Sequence, residues 1–124
     1  MSEEIKDKTV GILAYVTLIG FIIAIIMNND KTGEEKKFGA FHLRQSLGLI
    51  IAGIGLYIVN AIISAIFLAI GSFFGILVGL ITTVLSLVFI AFIIIGIINA
   101  ANGEKKELPF IGRYISDLLK NTFE

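Results

Sequence analysis

Residues 45–103 read QSLGLIIAGIGLYIVNAIISAIFLAIGSFFGILVGLITTVLSLVFIAFIIIGIINAANG, a run without a single Asp, Glu, Lys or Arg. Residues 9–29 form a second stretch without charged side chains. A helix needs about 20 consecutive apolar residues to cross a hydrocarbon core about 30 Å thick. Both stretches are long enough, so the sequence predicts an all-α integral membrane protein with a single membrane domain over residues 1–124.

The composition of the 124-residue chain excludes several other classes of protein. Charged residues make up 16%, against about 25% in ordinary soluble domains, and apolar residues make up 56%. Ten Lys and Arg balance ten Asp and Glu, so no excess of positive charge indicates nucleic acid as a partner. The chain has no cysteine and one histidine, which excludes a disulfide scaffold and a zinc module. No cofactor or metal is predicted.

Three transmembrane helices fit the two stretches. The first is predicted over residues 9–28, because this segment is longer than the apolar region of a signal peptide and no small-residue cleavage site follows it. Residues 46–101 correspond to about 84 Å of helix, which suits two spans, 46–70 and 76–101, better than one or three. Four spans in all are the alternative.

The turn inside the long run has two possible positions. We place it over residues 71–75, where Gly71 and Gly75 interrupt the apolar pattern. Alternatively, Gly71, Gly75 and Gly79 form a Gly-x-x-x-Gly stripe inside a helix, where small residues let two backbones approach closely. The turn would then move towards Asn60 or towards residues 82–83.

Charged segments flank the predicted spans. Thr32-Gly33-Glu34-Glu35 has the spacing of a capping box, which predicts an interfacial helical lead-in over residues 33–45. Gly103 suits the end of the last span, and Pro109 suits the first turn of a new helix. Residues 109–122 then form an amphipathic helix that lies at the interface or packs on the helical bundle.

Basic residues predict the orientation in an inner or plasma membrane. With three spans, residues 30–44 and 105–120 share a face and carry eight Lys and Arg, against two before the first span. The positive-inside rule then places the N-terminus outside and the C-terminus in the cytoplasm. A fourth span would break this pairing.

Few polar side chains could carry chemistry. Asn60 and Asn99 lie within the spans, and the amide of Asn60 is expected to bond between helices with a gain of about 0.6–2 kcal/mol. Binding of a substrate by Asn60 is the alternative. His42, Arg44 and Gln45 form the best polar cluster. Arg44 suits an anchor that reaches the lipid headgroups, whereas anchoring requires neither of the other two. A lone histidine without a neighbouring carboxylate or second ligand predicts no catalytic or metal site, and the chain is not expected to be an enzyme.

A resemblance adds to this interpretation. The segment FGAFHLRQSL, residues 38–47, resembles the F-x-x-F-H-x-R-Q-[AS]-L block of a family of small bacterial membrane proteins. Those proteins are similar to the twenty-kilodalton Tic component of chloroplast protein import. Residues 95–109 resemble the closing block of that family, and residues 8–15 resemble its start. The resemblance implies an integral membrane protein associated with protein translocation or insertion, and its plant relative is described with four spans.

These observations predict a non-enzymatic membrane subunit, an accessory component of protein translocation or of membrane-protein insertion. Its predicted partners are the lipid bilayer and other membrane proteins, such as translocase subunits or copies of itself. A small channel or transporter-like oligomer is the alternative, although no charged pathway residue or inverted repeat supports it. The candidate interaction residues lie in the family blocks or carry glycine or amide groups within the spans: Phe38, Phe41, His42, Arg44, Gln45, Asn60, Gly71, Gly75, Gly79, Asn99, Gly103 and Pro109.

Overall fold

The computed structural model describes residues 5–124 and is all-helical over that range, which confirms the predicted class. Its helices are α1 (Thr9–Val16), α2 (Leu18–Asn29), α3 (Gly33–Ile70), α4 (Phe73–Ala101) and α5 (Gly112–Leu119). The described residues divide into two compact units. We call residues 49–91 the hairpin unit, and residues 5–48 together with 92–124 the polar-core unit.

The hairpin unit contains two helical arms joined by Gly71 and Ser72, which lie within the stretch where the sequence predicts a turn. The α3 arm, from Leu49 to Ile70, is about 33 Å long at 1.5 Å per residue, and the α4 arm, from Phe73 to Ala91, is about 28 Å. Both lengths are close to the thickness of a hydrocarbon core, about 30 Å.

Large apolar side chains cover the outside of the hairpin unit. Tyr57 and Phe73 are 75% and 76% exposed, and most of the isoleucines, leucines and valines of both arms are also exposed. Exposing this apolar surface to water would cost about 25 cal/mol of free energy per Å². Within the described residues, α3 and α4 are the helices that are long and apolar enough to cross a membrane. The hairpin unit therefore indicates a membrane protein.

The side-chain contacts between the arms of the hairpin unit include a polar pair and an aromatic pair. Asn60 Nδ2 donates to Thr82 Oγ1 at 3.0 Å, so the amide has a partner on the other arm. Near the turn, the rings of Phe67 and Phe74 stack with their centroids 5.6 Å apart. The Phe89 ring of α4 also lies close to Gly53 of α3, where a Cβ would be 3.2 Å away, so the arms pack directly against each other.

The first apolar segment differs from the single helix predicted over residues 9–28. Thr17 has an extended backbone (φ −159°, ψ 174°), which ends α1, and its hydroxyl caps α2 by accepting a hydrogen bond from the Gly20 N–H at 2.9 Å. A Cβ at Gly20 would lie 2.9 Å from the Leu13 carbonyl oxygen, so this turn requires glycine. At about 12 Å and 18 Å, α1 and α2 are each shorter than a hydrocarbon core.

The core of the polar-core unit surrounds the beginning of α3. Residues 38–46 are all buried, which means that every face of this helix is covered over more than two turns. Phe38, Ala40 and Leu43 have no exposed surface, and neither do the polar side chains of His42 and Gln45. Buried polar groups need hydrogen-bond partners, so the segments packed around His42 and Gln45 must supply them.

Candidate functional site

His42 connects α3 to two other segments. Its Nδ1 lies 2.7 Å from the Tyr15 hydroxyl of α1, and its Nε2 lies 2.8 Å from the Glu104 carbonyl oxygen. Because a carbonyl can only accept, Nε2 carries the proton, and in a neutral ring Nδ1 accepts from the tyrosine. The rings of Tyr15, Phe38 and Phe41 pack edge-on around the imidazole with centroids 4.8–5.5 Å away. Both ring nitrogens are therefore engaged within the protein.

Gln45 connects α3 to the C-terminal segment with both ends of its amide. Its Nε2 donates to the Gly112 carbonyl oxygen at 2.9 Å and to Ser116 Oγ at 3.0 Å, both in α5. Its Oε1 accepts from the Leu108 N–H at 3.0 Å. A Cβ at Gly112 would lie 2.6 Å from that same Oε1, so the close approach depends on glycine. One buried side chain thus satisfies three groups of the segment that follows α4.

Arg44 contacts the last residues of the chain. Its Nη1 donates to the Thr122 carbonyl oxygen at 3.2 Å and lies 3.4 Å from the Glu124 carboxylate. Between these two residues, Phe123 packs edge-on against Phe21 of α2 at 6.1 Å. Arg44 is only 9% exposed, so its guanidinium is engaged within the protein rather than extended to headgroups as expected.

An ion pair joins the two ends of the first apolar segment. The Asp7 carboxylate, just before α1, pairs with the Lys31 ammonium, just after α2. It also accepts from the Thr9 N–H at 3.0 Å. The hydrogen bond from Lys31, followed by the one from Thr9, lowers the pKa of Asp7 to about 2. The two ends of the first apolar segment therefore lie next to each other.

The segment after α4 returns to the same place. Lys105 Nζ lies 3.9 Å from the Glu34 carboxylate in the first turn of α3. Gly103 has a left-handed backbone (φ 72°), and a Cβ there would lie 3.2 Å from Lys8 Cε and 3.5 Å from Ile5 Cβ. Exposed ion pairs contribute little stability, but these contacts bring three separate segments together.

Glycines that the sequence analysis did not single out allow the close packing of this unit. A Cβ at Gly11 would lie 2.8 Å from the Phe38 ring, and one at Gly96 would overlap the Tyr15 ring. Gly48 lies directly against Ile115 of α5 in the same way. These contacts require that the positions stay without side chains.

The structure divides the predicted interaction residues between the two units. Those in the polar-core unit are Phe38, Phe41, His42, Arg44, Gln45, Asn99, Gly103 and Pro109; those in the hairpin unit are Asn60, Gly71, Gly75 and Gly79. Asn99 is buried and donates to the Lys106 carbonyl oxygen at 3.3 Å. Pro109 is exposed. A Cβ at Gly71 or Gly79 would meet nothing within 4 Å, so neither glycine is packed against a neighbour in the described chain.

Several buried polar contacts were not predicted from the sequence. Tyr15, Asn28 and Ser46 are buried, and Ser46 Oγ donates to the Ala14 carbonyl oxygen. Asn28 Nδ2 donates to the Lys36 carbonyl oxygen at 3.2 Å. A polar residue at the end of an apolar helix is the only sequence signal for Asn28. Within residues 5–124, no group of three or more His, Asp or Glu side chains is placed to hold a metal ion.

A hairpin of apolar helices, together with a buried polar network, defines a small helical membrane protein. Its sequence matches the magnetosome magnetite crystal formation protein family over residues 6–115, and the chain belongs to this family. No curated protein and no solved structure matches the sequence. None of these comparisons supports the resemblance to the Tic component of chloroplast import.

Proposed function

We propose that the protein is a non-enzymatic component of the magnetosome membrane that takes part in forming the magnetite crystal. Membership of the family supports the process, and the two long apolar helices support the membrane location. The observation that carries the non-enzymatic part is the state of the single histidine. Its imidazole is buried and both nitrogens are bonded inside the protein, whereas a general acid or base must reach its substrate.

The buried polar side chains have a structural purpose in this proposal. His42, Arg44 and Gln45 all hydrogen-bond to backbone groups between residues 104 and 122. They hold the C-terminal segment against α3, and this contact occupies their hydrogen-bonding groups. The surface available to partners therefore consists of the exposed charged residues and the exposed apolar side chains, not of the family block itself.

Three further predictions from the sequence remain predictions. An accessory role in protein translocation, and the alternative of a channel-like oligomer, are tested neither by the family match nor by the geometry. The three-span order with the N-terminus outside and the C-terminus in the cytoplasm also remains a prediction. The contacts of the polar-core unit favour two crossings instead.

The proposed function is tested by deleting the gene from a magnetite-forming bacterium that carries it and measuring crystals by electron microscopy. We expect crystals of altered size or number, restored by the unmodified gene. Asn121→Leu, which changes an exposed amide, should also restore them, whereas Gln45→Leu, which changes the buried one, should not. Unchanged crystals in the deletion strain would refute the role.

The non-enzymatic part has its own test. His42→Gln removes the imidazole but keeps groups that can donate and accept hydrogen bonds. If this variant accumulates in the membrane at the normal level, it should restore crystal size. Normal accumulation with fully lost crystals would indicate that the imidazole takes part in a reaction.

A further inference from the structure

We infer that only α3 and α4 cross the membrane, that α1 and α2 form a helical hairpin that does not cross it, and that both ends of the described chain lie on the cytoplasmic face. The consequence for the crystal rests on the proposed function. The crossing order itself rests on contacts within the polar-core unit and does not depend on that function.

The first step concerns α1 and α2, which do not reach across a bilayer. At about 12 Å and 18 Å, neither helix spans a hydrocarbon core of about 30 Å. Val10, at the start of α1, and Asn28, near the end of α2, both lie against Gly39 of α3. The Asp7–Lys31 ion pair closes the same end. The segment thus enters and leaves on one face.

The second step concerns the segment after α4. Lys105 lies beside Glu34, and Gly103 lies beside Lys8. The residues before α1, the connector before α3 and the segment after α4 therefore share one face of the membrane. The chain must cross an even number of times between Glu34 and Lys105, and α3 and α4 supply two crossings.

The third step assigns that face by charge. All ten Lys and Arg lie in the segments gathered there or in the adjoining ends of the helices, outside residues 45–103. The turn on the opposite face, at Gly71 and Ser72, has no charged residue within twenty positions on either side. With three spans the basic residues divide eight to two, whereas with two crossings they divide ten to none. The positive-inside rule then places the shared face in the cytoplasm.

The consequence concerns what the growing crystal can contact. On the face away from the cytoplasm, residues 5–124 present only the tip of the hairpin unit, where Gly71 and Ser72 are flanked by Phe73 and Phe74. No carboxylate lies there, because every Asp and Glu of the chain lies outside residues 45–103. The described residues therefore influence the crystal from the cytoplasmic face or through the bilayer, and the acidic side chains among residues 5–124 do not bind mineral iron.

The absence of cysteine from the chain makes the test direct. Single variants Lys6→Cys, Lys37→Cys, Ser72→Cys and Lys106→Cys place a thiol at exposed positions. Each is expressed in a bacterial inner membrane and treated with a membrane-impermeant maleimide, either in spheroplasts or in inverted vesicles. Detergent-solubilised membranes give the total labelling for each variant.

We expect residues 6, 37 and 106 to be labelled only in inverted vesicles and residue 72 only in spheroplasts. Labelling of residue 6 from the same side as residue 72 would overturn the hairpin of α1 and α2 and restore three spans. Opposite labelling of residues 37 and 106 would overturn the two crossings. Labelling of all three from the periplasmic side would overturn the cytoplasmic assignment. These outcomes are independent of crystal size, so failure of the proposed function would leave them unaffected.

Discussion

Replacing Gln45 with leucine should release the C-terminal segment from α3. Leucine has a similar volume and fills the buried space, but it can neither donate nor accept a hydrogen bond. The Leu108 N–H and the Gly112 carbonyl oxygen then lose their partner. An unsatisfied buried group costs about 1–3 kcal/mol, so the two together cost about 2–6 kcal/mol. Ser116 Oγ is only partly buried and adds little.

Trypsin cleavage after Arg113 measures this loss. Arg113 lies in α5, so cleavage requires that helix to open. When opening is fast relative to cleavage, the rate follows the population of the open form, and a loss of about 2 kcal/mol raises it roughly 30-fold. The assay uses purified protein in mild detergent, with fragments identified by mass spectrometry.

Asn121→Leu is the matched control, because it removes an exposed amide from the same segment. Its cleavage rate should stay close to that of the unmodified protein. Equal rates for Gln45→Leu and the unmodified protein would refute the claim that these hydrogen bonds hold α5 in place. Equally raised rates in both variants would show that the effect is not specific to the buried amide.

Three further predictions test other contacts. Gly48→Ala places a Cβ against an isoleucine of α5 and should lower the free energy of opening α5 in the cleavage assay by about 1–3 kcal/mol. Gly55→Ala, in open space on the same helix, should leave it unchanged. Equal effects of the two substitutions would contradict the packing. Asn60→Leu and Thr82→Val should show a coupling of about 0.6–2 kcal/mol in a double-mutant cycle of thermal unfolding, and additive effects would argue against the bond between the arms. Because the pKa of Asp7 is lowered from 3.8 to about 2, its contribution to stability is complete above pH 3.8 and is lost as pH falls towards 2. The stability difference between the unmodified protein and Asp7→Asn should therefore shrink over that interval, and a constant difference would contradict the ion pair.

The helices of the hairpin unit could be predicted from the sequence because hydropathy and length are sufficient there. A helix in lipid satisfies its own backbone, so a long run without charge has few alternatives. The division of residues 9–28 at Thr17 could not be predicted in this way. Hydropathy is the same for one span and for two short helices, and the Asp7–Lys31 pair that distinguishes them joins residues 24 positions apart.

The side chains of the candidate site could be predicted from the sequence, but their partners could not. His42, Arg44 and Gln45 stand out because an interfacial anchor does not explain a histidine and a glutamine. Their partners, the carbonyl oxygens of Glu104 and Gly112, are backbone groups that every residue carries. No residue pattern marks such partners, so the internal role of the cluster becomes visible only when the C-terminal segment is placed.

The same hydrogen bonds set an order for biosynthesis. The partners of His42, Gln45 and Arg44 follow them by 62 to 78 residues. At about 5–20 residues per second, the ribosome makes those partners about 3–15 s after the side chains that need them. Both arms of the hairpin are complete before the last segment emerges, so they can insert while the imidazole and amide of α3 still lack their final partners. Closure of the polar core is then the last step of assembly, and a nascent chain interrupted before residue 104 leaves these side chains without their C-terminal partners.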